Sequence, residues 1–237
     1  MITEVKRQII ALGGGGFSME PEVPLLDRYI LAQSPAERPR ICFIPTASGD
    51  ADSYIESFYQ FFNQQDCIPT HLSLFKGHTN MIYDFVMEQD ILYVGGGNTR
   101  NMLVLWKEWQ LDRFILEAYQ KGTVLCGVSA GAICWFDQGL TDSVPNELNA
   151  LDGLGLLRGS NCPHFDGEPL RRPAYTTLIA KGSIQAGIAA DDGVGLHYID
   201  EELHRVISSR PPARAYRFSS DGMTLSEEEL TPDYLGE

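Results

Sequence analysis

The chain has 237 residues, of which 43% are hydrophobic and 21% charged, the balance of a globular protein large enough for one substantial core. Its 18 lysines and arginines face 32 aspartates and glutamates, and the net charge of −14 argues against the basic face that nucleic acid or an anionic membrane requires. The five cysteines are scattered, and neither a signal peptide nor a membrane span is visible. We therefore expect reduced thiols and a cytoplasmic location.

Short apolar runs alternate with longer amphipathic segments in the first half of the chain. The runs predict strands over 8–12, 41–45, 70–74, 91–94 and 123–128. The intervening segments predict helices over 22–32, 53–65, 79–88 and, in two parts, 100–120. Because wholly apolar strands separated by helices are buried on both faces, we predict an α/β fold with a mostly parallel sheet and helices on both sides.

The second half of the chain is less regular. It predicts a loop-rich stretch over 137–167, a helix over 169–181, and strands over 183–190, 194–198 and 204–208. The last residues, about 226–237, are acidic and predict a solvated tail. Since no linker or internal repeat is visible, we expect residues 1–237 to form a single domain.

The segment Gly127-Val-Ser129-Ala-Gly131 lies between a predicted strand and an apolar helical run. A sharp turn from strand to helix strains its central residue, and the positions two before and two after it have almost no room for a side chain. Ser129 is thus a candidate nucleophile, exposed above the edge of the sheet. The alternative is that Ser129 is merely a small residue in a crowded turn.

A serine nucleophile needs a base and a carboxylate that orients the base. His164 follows a proline in a loop and is the favoured base, whereas His204 would serve in an esterase of the α/β-hydrolase type, where the histidine comes last. For the acid, Asp192 at the end of a predicted strand is favoured over Asp142, which lies between nucleophile and base in the chain.

The run Gly95-Gly-Gly-Asn-Thr99 follows another predicted strand and opens a helix, for which Asn98 or Thr99 is a candidate N-cap. It lacks the lysine of a phosphate-binding loop, and the glycines at 13–16 do not match the dinucleotide-binding pattern. Glycines allow close approach of a substrate, so the N–H groups of Gly97 and Ala130 are candidate donors to an oxyanion.

Three motifs together resemble the peptidase E (aspartyl dipeptidase) and cyanophycinase family of serine peptidases: Val94-Gly-Gly-Gly-Asn-Thr99, Gly127-Val-Ser-Ala-Gly-Ala132 and Pro163-His-Phe165. The resemblance implies a flavodoxin-like three-layer sandwich, similar to class I glutamine amidotransferases, with no metal or cofactor. It also implies that Ser129 is the nucleophile and His164 the base. Asp192 falls where peptidase E has a glutamate, so the shorter side chain must approach His164 more closely or the loop must shift. Asp142 matches another acidic position of that family.

Peptidase E cleaves dipeptides with an N-terminal aspartate, and the resemblance implies a small peptide as substrate. Arg171 and Arg172 are candidate cations for a substrate carboxylate, and Asn98 is a further candidate substrate contact. The segment around the two arginines differs from peptidase E, so cleavage of other small acidic peptides and removal of C-terminal residues stay open. Three further alternatives also stay open: an esterase, a non-catalytic binding protein on the same scaffold, and a homodimer.

Overall fold

The computed structural model describes residues 5–76, 81–222 and 224–236. The strands are β1 Gln8–Leu12, β2 Arg40–Ile44, β3 Ile68–His71, β4 Ile91–Val94, β5 Val124–Val128, β6 Phe136–Val144, β7 Glu147–Asp152, β8 Leu157–Cys162, β9 Gly187–Ala190, β10 Val194–Ile199, β11 Glu202–Ser208, β12 Ala215–Ser220, β13 Leu225–Leu230 and β14 Asp233–Tyr234. The helices are α1 Leu25–Leu31, α2 Asp52–Phe62, α3 Ile82–Met87, α4 Thr99–Glu108, α5 Leu111–Gln120, α6 Ala130–Ile133 and α7 Arg171–Ala180. Within these ranges, no helix has both the length and the apolar composition needed to cross a bilayer.

The larger sheet has eight strands in the order β14-β11-β10-β1-β5-β4-β2-β3. The five strands from β1 to β3 in this order run parallel, and β10 joins β1 in the antiparallel direction. In β1 every residue is buried, because Ile9 and Ala11 enter the core on one face while Ile10 and Leu12 enter the core on the other. The predicted parallel sheet covered on both faces is confirmed.

Helices cover the larger sheet on both sides. One core contains the apolar face of α2, formed by Ile55, Phe58 and Phe62, together with residues of α1. The opposite core contains Trp106 of α4 and Ile115 of α5, together with residues of α3. The result is an α/β arrangement of three layers. The glycine turns that follow β1, β4 and β5 lie together at the carboxyl edge of the parallel strands, where such sheets bind ligands.

A second sheet has six strands in the order β13-β12-β9-β8-β6-β7, and of these six β9 alone lies within a predicted strand, the one over 183–190. The prediction of a loop-rich stretch over 137–167 is wrong, because β6, β7 and β8 lie there. These strands carry polar residues and glycine. The strand β8 pairs with β6 and β9, and not with β7, which directly precedes it in the chain. A third core, which includes Phe165, Tyr175 and Phe218, lies between this sheet and α7.

The acidic C-terminal segment is an edge strand and not a free tail. Its backbone pairs with β12, and its glutamates stay exposed while forming ion pairs with arginines. Arg217 pairs with Glu228 directly across the two strands, and Arg214 pairs with Glu229. The prediction of solvated side chains was right, but the backbone is ordered by cross-strand pairing that charge composition does not reveal.

The remaining differences concern the ends of elements. The strand predicted over 70–74 is β3 at Ile68–His71, and the one over 183–190 is shortened to Gly187–Ala190. Residues 79–80 of the helix predicted over 79–88 lie outside the described residues, and α3 spans Ile82–Met87. All five cysteines are buried and none forms a disulfide.

Candidate active site

Ser129 occupies the single residue between β5 and α6, with φ 58° and ψ −112°, a backbone conformation that L-residues rarely adopt. The turn is tight because the chain doubles back on itself and against β4. A Cβ atom on Gly131 would lie 2.2 Å from the carbonyl oxygen of Val94, and one on Gly127 would lie 2.4 Å from that of Gly131. Only glycine fits at either position, and the turn leaves Ser129 partly exposed.

The end of β1 holds the serine and the histidine through two consecutive carbonyl groups. Leu12 accepts the backbone N–H of Ser129 at 3.2 Å, and Gly13 accepts the backbone N–H of His164 at 2.9 Å. Because consecutive Cα atoms are about 3.8 Å apart, the two residues lie at the same place on the sheet edge although they are far apart in the chain. In the described part of the chain, the hydroxyl of Ser129 makes no hydrogen bond to the His164 ring.

His164 Nδ1 lies 2.7 Å from Asp192 Oδ1, with the two side chains only 14% and 13% exposed. Asp192 is held in turn, because its N–H donates to Asp166 Oδ1 at 2.8 Å. The short aspartate reaches the ring because Gly14 leaves the space open: a Cβ there would lie 1.9 Å from Asp192 Oδ1.

The glycine turn after β4 adjoins the serine. A Cβ on Gly96 would lie 3.3 Å from Ser129 Cβ, so this backbone passes directly beside the hydroxyl. Among the described residues, the N–H groups of Gly97 and Ala130 have no hydrogen-bond acceptor. Ala130 follows Ser129 in the chain, and Gly97 follows Gly96, whose backbone adjoins Ser129, so both N–H groups remain candidate donors to an oxyanion.

A model of peptidase family S51 matches residues 9–206 of the chain. The chain belongs to peptidase family S51. It is therefore a serine peptidase, and its resemblance to peptidase E is confirmed. The uncharacterized peptidase YgaJ of Bacillus subtilis (strain 168) is 56% identical over 230 residues, which cover 97% of this chain and all of YgaJ. The uncharacterized peptidase Lmo0363 of Listeria monocytogenes is 27% identical over 162 residues, which cover 65% of this chain and 78% of Lmo0363.

Two solved structures share the fold. The structure of a putative peptidase E protein from Listeria monocytogenes EGD-e gives a TM-score of 0.62 at 22% identity, covering 86% of this chain and 98% of that one. The structure of a peptidase from an acI-B1 actinobacterium gives a TM-score of 0.67 at 19% identity, covering 97% of this chain and 95% of that one. The predicted fold class is confirmed by this likeness.

The expectation that Arg171 is a free cation for substrate is wrong, because the peptidase buries this side chain almost completely. Its Nε and Nη2 donate to the Glu168 carboxylate at 2.7 and 3.3 Å, and Nη1 donates to the Leu140 carbonyl at 3.0 Å. The alternative acid Asp142 lies 3.8 Å from Arg171 and is 65% exposed. The structure therefore brings Asp142 to this arginine and Asp192 to the histidine.

Arg172 and Asn98 of the peptidase are also engaged within the chain. The guanidinium of Arg172 lies over the Phe165 ring at 4.3 Å and donates to Glu227 at 2.6 Å, although the side chain stays half-exposed. Asn98, one of the two predicted cap candidates, caps α4 by accepting the Asn101 N–H at 2.9 Å. Its side-chain amide donates to the Ser143 carbonyl at 3.0 Å. Asn98 thereby links the glycine turn to β6.

His204 lies away from the carboxyl edge. It sits on β11, three strand positions from β5, or roughly 14 Å at the usual strand spacing. The centroid of its ring lies 5.5 Å from that of His197. The residues of β10 that pair with the chain on either side of His204 pair in turn with the middle of β1. This position gives no support to the esterase alternative.

Sequence reasoning missed the residues that hold the acid in place. Gly14 accepts the N–H of Gly193 at 3.0 Å, and Arg210 packs against Gly193 while its Nε donates to Glu20. The glycine run at 13–16 was the available signal. Because that run follows a predicted strand, the sequence places it at the ligand-binding carboxyl edge of the sheet, but it does not show that Gly14 lies against the acid.

A buried carboxyl group lies beneath the same glycine run. Asp27 on α1 is fully buried, and its carboxyl group faces the backbone of Phe17 and the hydroxyl of Tyr93. The buried hydroxyl of Tyr93 and the Asp27 carboxyl group share the small space beside Gly16. Burial raises the pKa of Asp27 to about 7.

Asp27→Asn is expected to stabilise the peptidase, and more so at higher pH. Folding raises the pKa of Asp27, so protonation of this group favours the folded state. The resulting contribution to the free energy of unfolding is fully present below about pH 4 and is lost as the pH rises through 7. The neutral amide avoids the loss. We expect the free energy of unfolding in urea to rise by on the order of 4 kcal/mol at pH 8 and on the order of 1–2 kcal/mol at pH 5. An equal gain at both pH values would contradict a buried carboxyl that ionises near neutrality.

Proposed function

We propose that this S51 peptidase hydrolyses small peptides through a triad of Ser129, His164 and Asp192, as a peptidase E-like exopeptidase. The observation that carries the proposal is the placement of Ser129 and His164 on consecutive carbonyls of one strand end, with Asp192 at 2.7 Å from the ring. An acceptor carboxylate on Nδ1 selects the tautomer with the proton on that nitrogen, which leaves Nε2 free to take a proton. A serine–histidine contact that is open in the free enzyme often closes only with substrate bound.

The proposed cycle begins when the Ser129 oxygen bonds to the scissile carbonyl carbon and its proton passes to His164 Nε2. The N–H groups of Gly97 and Ala130 are the proposed donors to the oxyanion, and losing one such donor typically costs about 3 kcal/mol. Collapse of the intermediate breaks the C–N bond, and the departing amine takes the proton from His164. A water molecule then loses a proton to the same ring and attacks the acyl carbon, and the ester C–O bond breaks as the ring returns that proton to the Ser129 oxygen.

The finer question is whether an N-terminal aspartate is preferred, as the resemblance to peptidase E implies. Such a preference needs a cation that the substrate carboxylate can reach. Arg171 is buried on Glu168, and Arg172 is shared between Glu227 and the Phe165 ring. The contacts of these two arginines favour small-peptide hydrolysis without a requirement for aspartate.

Replacing each of the two candidate acids by asparagine, in separate variants, tests the triad. Asp192→Asn is expected to lower kcat for peptide hydrolysis by roughly 10³- to 10⁴-fold, because an asparagine cannot hold the histidine in the productive tautomer. Asp142→Asn removes the other candidate, and we expect its effect on kcat to be at least about 100-fold smaller. Steady-state kinetics on a dipeptide panel measure both. The triad as proposed is wrong if Asp142→Asn causes the larger loss.

A further inference from the structure

An apolar groove opens beside the proposed triad. It has a volume of about 880 Å³ and lies between the turn joining β6 to β7 and the segment that leads into α7. Its apolar walls are formed by Leu148, Pro169, Leu170, Pro173 and Ala174. Leu170 is 72% exposed and stands at the edge of this apolar surface. A groove of this size suits a small ligand with an apolar side chain.

Both walls of the groove are tied to the active site. On one wall, Gly167 lies against the acid of the triad, since a Cβ there would lie 2.6 Å from Asp192 Oδ2, and Glu168 donates its N–H to the His164 carbonyl at 3.0 Å. Beside the other wall, Ser143 follows the lining residue Asp142 in the chain, and its carbonyl accepts the side-chain amide of Asn98, which follows the glycine turn beside Ser129. The groove therefore runs along the two loops that would hold a bound peptide.

The rim of the groove is negatively charged. Asp142, Glu147 and Glu168 supply three carboxylates, all at least partly exposed. The adjacent Arg171 lies buried beneath them and is paired with both Glu168 and Asp142, so three carboxylates and one guanidinium leave the rim with a net negative charge. A substrate carboxylate entering here would meet like charge, whereas an ammonium group would be attracted.

We propose that this groove binds the N-terminal residue of the substrate, with an apolar side chain between Leu148 and Leu170 and the free α-ammonium group at the acidic rim. In a dipeptide only the N-terminal residue carries that ammonium group, and its C-terminal carboxylate would be repelled from the rim. The preferred substrates are then small peptides with an apolar N-terminal residue rather than aspartyl peptides. This inference rests on the proposed function, because it assumes that the adjoining triad cleaves peptides.

Three substrates test the preference on the wild-type enzyme: leucyl-leucine, aspartyl-leucine and N-acetyl-leucyl-leucine. We expect kcat/KM for leucyl-leucine to exceed that for each of the other two by at least about tenfold. A preference for aspartyl-leucine would overturn the inference. If Arg210→Gln abolished such a preference, the specificity would come from Arg210, which packs against Gly193 next to Asp192, and not from this groove.

Variants of the groove provide the second arm. Leu148→Ala and Leu170→Ala are expected to lower kcat/KM for leucyl-leucine by about tenfold, mainly through KM, while Val104→Ala, an equally exposed apolar position outside the groove, leaves it unchanged. Glu147→Lys should narrow the gap between leucyl-leucine and aspartyl-leucine. The groove would not be the binding site if kcat/KM for leucyl-leucine stayed unaltered in both leucine variants and the ratio of kcat/KM for leucyl-leucine to that for aspartyl-leucine stayed unaltered in Glu147→Lys; the triad would still stand. If the wild type hydrolysed no peptide at all, both the groove and the triad would be overturned.

Discussion

Ser129→Ala is expected to lower kcat for peptide hydrolysis by at least about 10⁴-fold, because alanine keeps the shape of the turn but has no oxygen to form the acyl-enzyme. Alanine and serine have similar difficulty with φ 58°, so the thermal stability should change little. Steady-state and single-turnover assays on a short peptide, together with thermal unfolding, measure the two effects.

The matched control for this variant is Ser57→Ala, which removes an exposed serine from the middle of α2. We expect its kcat to stay within about twofold of the wild type. If Ser129→Ala kept more than a small fraction of the activity that Ser57→Ala shows, another group would have to be the nucleophile.

The second large effect is expected at His164. This residue has φ 53°, a region that asparagine tolerates better than other non-glycine residues, so His164→Asn removes the base with little added backbone strain. We expect kcat to fall by at least about 10³-fold, since neither the serine nor the leaving amine can then exchange a proton with the ring. The measurement is kcat on a peptide and on a chromogenic ester.

His204→Asn is the control for the histidine and also tests the esterase alternative. Because His204 lies on β11, well away from Ser129, we expect both activities to remain within about twofold of the wild type. Loss of ester hydrolysis in His204→Asn, with His164→Asn still active, would favour the α/β-hydrolase order and contradict the triad proposed here.

The sequence predicted the larger sheet and the turn at Ser129 because both depend on local signals. Strands buried on two faces are continuously apolar, as in β1 and β4, and they stand out from amphipathic helices. The turn needs glycine on both sides of Ser129 for steric reasons, so the glycine spacing together with the strand before it and the helix after it identifies the turn.

The second sheet and the arginine contacts could not be read from local patterns. The strand β7 has no fully buried residue, and β13 is an acidic edge strand whose partner is β12. Arg171 at the start of α7 becomes buried only because β6 presents the Leu140 carbonyl and Glu168 turns back toward it. Such contacts depend on how distant segments pack, which hydrophobic periodicity does not encode.

The sequence favoured Asp192 as the partner of His164, but it did not show how the shorter aspartate reaches the ring. An aspartate in place of glutamate leaves a gap that the sequence alone does not fill. The structure closes it through Gly14, whose missing side chain lets the acid approach the ring. Gly14→Ala, in the turn after β1, should therefore disturb the same His164–Asp192 contact that Asp192→Asn disturbs.

Reaction with a fluorophosphonate probe, followed by peptide mass mapping, tests most directly whether His164 activates Ser129. We expect one adduct per chain, located on Ser129, with a second-order rate that falls at least about 100-fold in His164→Asn and stays unchanged in His204→Asn. An adduct on another residue, no adduct at all, or an undiminished rate in His164→Asn would contradict an activated serine at the end of β5.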